Sequence, residues 1–82
     1  MRKSPLRNRI RRLRFDNGEM TQQELAEKVG VTRQTIIALE ADRYVPSLLL
    51  AMKLARVFDV RVEQVFYEGE EPQDAGTADA TG

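Results

Sequence analysis

Arg33 and Gln34 stand side by side, with Ile37 and Ala38 one helical turn further on. A guanidinium makes paired hydrogen bonds to the edge of guanine and a carboxamide does the same to adenine, while a short apolar group can meet a thymine methyl. At 3.6 residues per turn these four side chains share one side of a helix, and Thr32, Ile36 and Leu39 fall on another that reads as core. On these residues alone a solvated helix start is the simpler reading. The flanking chain turns the reading towards base contact.

That chain is built to hold the helix at its start. Thr32 is a good N-cap, and Val31 with Ile36 forms a hydrophobic staple. Upstream, Thr21 and Glu24 have the spacing of a capping box, and Met20 with Leu25 that of a second staple. A helix from there runs to about Val29 and ends at Gly30, a residue suited to the left-handed C′ position. Only Gly30 and Val31 separate it from the cap of the next helix. Two short helices joined so tightly, the second with a polar start, make a helix-turn-helix corner.

The remaining elements read as support. From about Arg9 to Asn17 a helix puts Leu6, Ile10 and Leu13 on one face among arginines, and Asn17-Gly18 stops it. Residues 1–8 fit an arm, a strand or a first helical turn, with Ser4-Pro5 or Asn8 as the cap. Ser47 caps a fourth helix to about Phe58, with Leu48, Ala51, Leu54, Ala55 and Phe58 as its expected core residues. Leu49 and Leu50 leave an apolar surplus, to which Val60, Val62, Val65, Phe66 and Tyr67 add in a short fifth helix and an extended segment. Such a surplus suggests a partner surface, with closure of the chain's own core as the alternative, and Val62, Val65, Phe66 and Tyr67 are the expected dimer interface. Phe66-Tyr67-Glu68 can also pair with residues near Leu6 as a small ribbon.

Composition narrows the function classes. Eighty-two residues make one domain with a small core, and the chain has neither Cys nor His. Disulfides, thiol and imidazole catalysis and the usual zinc sites are thereby removed, and neither a metal nor a cofactor is expected. The Thr and Glu residues read as caps, no nucleophile–base pair is suggested, and an enzyme has no support. The net charge of zero hides an asymmetry: residues 1–66 carry 13 basic and 8 acidic side chains, residues 67–82 five acids and no base. A basic body points to a polyanion partner. Residues 69–82 contain no large apolar group and are expected to form a disordered acidic tail. No apolar run approaches a membrane span, and Met1-Arg2-Lys3 has no apolar stretch after it, so a soluble cytoplasmic protein is expected.

Several motifs in register carry a family likeness. They are Thr21-Gln22-Gln23-Glu24-Leu25-Ala26, Val29-Gly30-Val31-Thr32-Arg33-Gln34-Thr35-Ile36, Leu39-Glu40, Tyr44-Val45-Pro46-Ser47-Leu48 and Ala51-Met52-Lys53-Leu54-Ala55. With them the chain resembles the Xre/Cro/C1-type helix-turn-helix, most closely its small stand-alone repressors, over about residues 6–68. The resemblance implies an all-α domain of five helices that binds double-stranded operator DNA, usually as a homodimer. It implies that Arg33, Gln34 and Ala38, with Ile37 beside them, face bases, although an alanine at 38 offers only a methyl. It implies phosphate contacts from Gln22, Thr32 and Arg43, and an ion pair between Arg14 and Glu40 that positions more than it stabilises.

Departures from the family pattern are also legible. Ala41-Asp42 stands where relatives have Asn-Gly or Lys-Gly, which calls for a left-handed Asp42 at a cost of about 1 kcal/mol. Gly18-Glu19-Met20 is one residue longer than in many relatives, and Arg61 replaces the usual Ser or Thr cap. The expected function is a sequence-specific transcriptional regulator, a repressor acting on a palindromic operator. A second reading is an antitoxin-like module that captures a toxin-like protein and binds DNA secondarily.

Overall fold

A computed structural model of the chain describes residues 6–69. In chain order they form a strand β1 (Leu6–Asn8), helices α1 (Ile10–Asp16), α2 (Gln22–Val29), α3 (Arg33–Glu40), α4 (Leu48–Phe58) and α5 (Val62–Val65), and a strand β2 (Phe66–Glu68). The Ser4-Pro5 start and the acidic tail from residue 70 onward lie outside the described residues.

The helices begin where their side chains dictate. Thr21 accepts from the Glu24 N–H while the Glu24 carboxylate accepts from the Thr21 N–H, a reciprocal pair that satisfies two otherwise orphan donors. Thr32 accepts from Thr35 N–H at 3.3 Å and Ser47 from Leu50 N–H at 3.1 Å. Caps of this kind each contribute about 1 kcal/mol. Arg61 offers α5 no such cap, and the Gln64 carboxamide accepts from the Arg61 N–H at 3.0 Å instead. Gly30 ends α2 with φ +74°, the left-handed turn that lets α3 follow after two residues.

Leu6 does not continue the apolar face of α1. It lies in β1, which pairs antiparallel with β2 in the register Leu6↔Glu68, Arg7↔Tyr67, Asn8↔Phe66. The break comes from Asn8, whose Oδ1 accepts from the Ile10 N–H at 3.0 Å and so turns the strand into the helix. Arg9 N–H then donates to the Val65 carbonyl, which closes the ribbon against α5.

Ile10, Leu25, Ile36, Leu39, Leu54 and Val65 are fully enclosed, one or two from each helix, around a single core. The assignment of Leu48 to that core is corrected: it is 72% exposed, and Leu50 is buried in its place. The buried stripe of α4 is Leu50, Ala51, Leu54, Ala55 and Phe58. Residue 48 lies only about 20° around the helix from residue 55, at the edge of the stripe, so its exposure follows from its place as the first residue of α4 and not from rotation. The longer α1–α2 turn is accommodated by two successive left-handed residues, Gly18 at φ +76° and Glu19 at +55°.

Candidate nucleic-acid interface

Helix α3 is held from behind. Ile36 and Leu39 anchor α3 in the core, which leaves Arg33 and Gln34 exposed at its start and Ile37 and Ala38 half-buried beside them. Among the described residues no carboxylate pairs with Arg33, so its guanidinium is free to donate. Thr32 is exposed at the N-cap, and its hydroxyl also meets that of Thr35 at 3.2 Å.

At the other end of α3, around Glu40, lies a network of charge-assisted hydrogen bonds. Arg14 Nε donates to Glu40 Oε2 at 2.7 Å and Nη2 to Glu40 Oε1 at 3.1 Å, a bidentate pair between α1 and the end of α3. The third bond, from Nη1 to the Met20 carbonyl at 2.8 Å, ties in the α1–α2 turn. Gln22 Nε2 donates to Glu40 Oε1 at 3.2 Å. One amide hydrogen of Gln22 is thus spoken for, and its second remains for an anion at the start of α2. The network fixes the relative placement of α1, α2 and α3.

The far end of α3 is held by a residue whose role the sequence did not reveal. Asn8 Nδ2 donates to the Leu39 carbonyl at 2.7 Å and to Asp42 Oδ1 at 3.2 Å. Asp42 is left-handed, with φ +60°, and its N–H also donates to the Leu39 carbonyl. Arg43 N–H donates to the Ala38 carbonyl, and its exposed side chain leaves the loop beyond α3. The only advance signal was that no glycine follows Glu40, so the last carbonyls of α3 needed some other donor.

The residues expected at a dimer surface divide. Val65 is fully buried and Phe66 nearly so, because the chain's own core uses them. Val62 and Tyr67 remain half-exposed. They line a shallow apolar groove of about 530 Å³ with Leu6, Pro46 and Leu48.

Residues 10–65 match the model of the helix-turn-helix family. The chain belongs to that family, in its Xre/Cro/C1 form. This helix-turn-helix protein is 54% identical over 66 residues to an uncharacterised transcriptional regulator of that type from Archaeoglobus fulgidus, covering 80% of this chain and 93% of the relative. It is 47% identical over 66 residues to the uncharacterised regulator YgzD of Bacillus subtilis, covering 80% and 98%. Among solved structures it is similar to a Neisseria protein described as a hypothetical transcription factor, NHTF, with a TM-score of 0.64 and 29% identity over 72% of this chain and 67% of that one. The family is one of DNA-binding regulators and not of enzymes. Among the described residues of this helix-turn-helix chain no helix is long and apolar enough to cross a membrane.

Proposed function

We propose that this helix-turn-helix protein is a cytoplasmic repressor that binds a palindromic operator as a homodimer, with α3 in the major groove of each half-site. The observation that carries the reading is the pair of exposed donors, Arg33 and Gln34, at the start of a helix whose other side is fixed in the core. Their fork-like groups read base edges, with Ile37 and Ala38 offering apolar contact beside them. Gln22, Thr32 and Arg43 set the register on backbone phosphates. Residues 1–68 are the DNA-binding unit, and residues 69–82 are a separate acidic tail. Self-association runs through Val62 and Tyr67, backed by Val65 and Phe66 from beneath.

Selection of bound duplexes from a random pool tests this. The expected product is a palindrome whose half-site centres lie about 34 Å apart on one face of the duplex. A bound pool with no enriched sequence refutes the specificity, and a single half-site bound by a monomer refutes the two-fold arrangement.

A further inference from the structure

We infer that Arg11 is a further phosphate-binding residue, seating a backbone phosphate of the duplex in the groove between α1 and the starts of α2 and α3. The inference rests on the DNA-binding reading above and extends its footprint to the first helix. The groove has a volume of about 780 Å³, and Arg11, Arg14, Thr21, Gln22, Arg33 and Glu40 are among its lining residues.

The three guanidinium groups of this groove differ in what they are already doing. Arg14 is consumed by Glu40 and the Met20 carbonyl. Arg33 stands at the tip of α3, where the bases lie. Arg11 is three residues before Arg14, hence on the same side of α1, and it is exposed. Among the described residues no carboxylate pairs with it, whereas Arg12 Nε lies 3.5 Å from Asp16 and Arg7 Nε 4.0 Å from Asp42. The Glu40 charge is offset inside the network, which leaves Arg11 and Arg33 against Glu19 in the same groove. A phosphate that approaches the second amide hydrogen of Gln22 therefore meets Arg11 from the opposite bank. A planar guanidinium suits that anion, because two parallel N–H groups match two phosphate oxygens.

The test is the salt dependence of duplex binding, measured from about 50 to 200 mM salt on selected and scrambled DNA. The proteins compared are the full chain and its Arg11→Ala, Arg11→Lys and Arg12→Ala variants. Arg11→Ala is expected to reduce the slope of log K against log salt by about 0.9 per bound protomer, and to weaken binding about fivefold to tenfold near 0.1 M salt. The loss is expected to be equal on both DNAs, because a phosphate carries no sequence information. Arg11→Lys keeps most of the slope. Arg12→Ala removes the same formal charge from the same helix and leaves the slope unchanged, which separates contact from general attraction. Thermal melts of the two alanine variants check that both remain folded. A wild-type slope in Arg11→Ala, an equal drop in Arg12→Ala, or a loss confined to one sequence overturns the assignment to Arg11. A wild-type chain that binds neither DNA overturns the DNA-binding reading itself, so the two failures appear in different samples.

Discussion

Replacing Glu40 by leucine removes the acceptor that holds Arg14 and Gln22 together. The two charged side chains are only 14% and 12% exposed, so solvent replaces little of what is lost. Arg14 keeps one of its three hydrogen bonds, the one to the Met20 carbonyl, and its positive charge stays in a low-dielectric site. Removing one partner of a buried pair costs about 3–5 kcal/mol, and the residual exposure argues for the lower end, about 3 kcal/mol. At about 0.05–0.15 kcal/mol per residue, a chain of this length has about 4–12 kcal/mol in total. Three of these correspond to a fall in melting midpoint of about 12–24 °C. Arg14→Met alone is expected to cost a similar amount, because Glu40 then keeps only the Gln22 amide. The double replacement, Arg14→Met with Glu40→Leu, leaves no buried charge and fills the same space with apolar groups. It is expected to return to within about 1 kcal/mol of the parent, a coupling that a double-mutant cycle in urea measures directly. Single variants that melt within about 1 kcal/mol of the parent, or a double variant that loses the sum of both, would refute this account of the pair.

The other expected outcomes concern reading, turns and boundaries. Arg33→Ala should cost about 1–3 kcal/mol of operator affinity and relax preference at one base pair, whereas Arg43→Ala should weaken all duplexes alike; titration against operator and scrambled DNA distinguishes the two. Asn8→Ala removes two donated hydrogen bonds and one accepted one. At about 1 kcal/mol per bond it should lower unfolding free energy by about 2–3 kcal/mol, measured in urea. Gly30→Ala adds a methyl with open space around it but at φ +74°, so its expected cost of about 1–2 kcal/mol comes from the backbone alone; a larger loss points to a clash. Ending the chain after Gly69 should leave the melting midpoint within about 2 °C, since among the described residues every member of the core cluster lies between Leu6 and Phe66.

Local rules made most of the framework legible. The reciprocal cap of Thr21 and Glu24, the caps Thr32 and Ser47, and the left-handed Gly30 each depend on neighbours within four residues, and each forms as the spacing predicts. The pairing of Phe66–Glu68 with the segment at Leu6 was also within reach, because an extended Phe66-Tyr67 segment and Leu6 flank the helical unit at its two ends. What failed was the end of an element and long range. Leu48 looked like core by type, yet at the first position of α4 it lies at the edge of the buried stripe and is exposed. Val65 in α5 and Phe66 in β2, read as apolar surplus, also fill the core of the chain itself. Asn8 reaches across 31 residues to Leu39, and no local pattern announces such a bond. At the candidate interface, sequence could propose Arg33 and Gln34 by chemistry, but it could not show that Gln22 donates one hydrogen to Glu40.

The ion pairs carry a consequence for selectivity. Arg7, Arg12 and Arg14 each lie beside a carboxylate of the same chain, so part of the positive charge that composition promises is already neutralised by built-in counter-ions. A protein so arranged pulls less strongly on any passing duplex than its arginine content suggests. On the proposed reading, sites where Arg33 and Gln34 fit the bases would then stand out against a lower background of indiscriminate attraction.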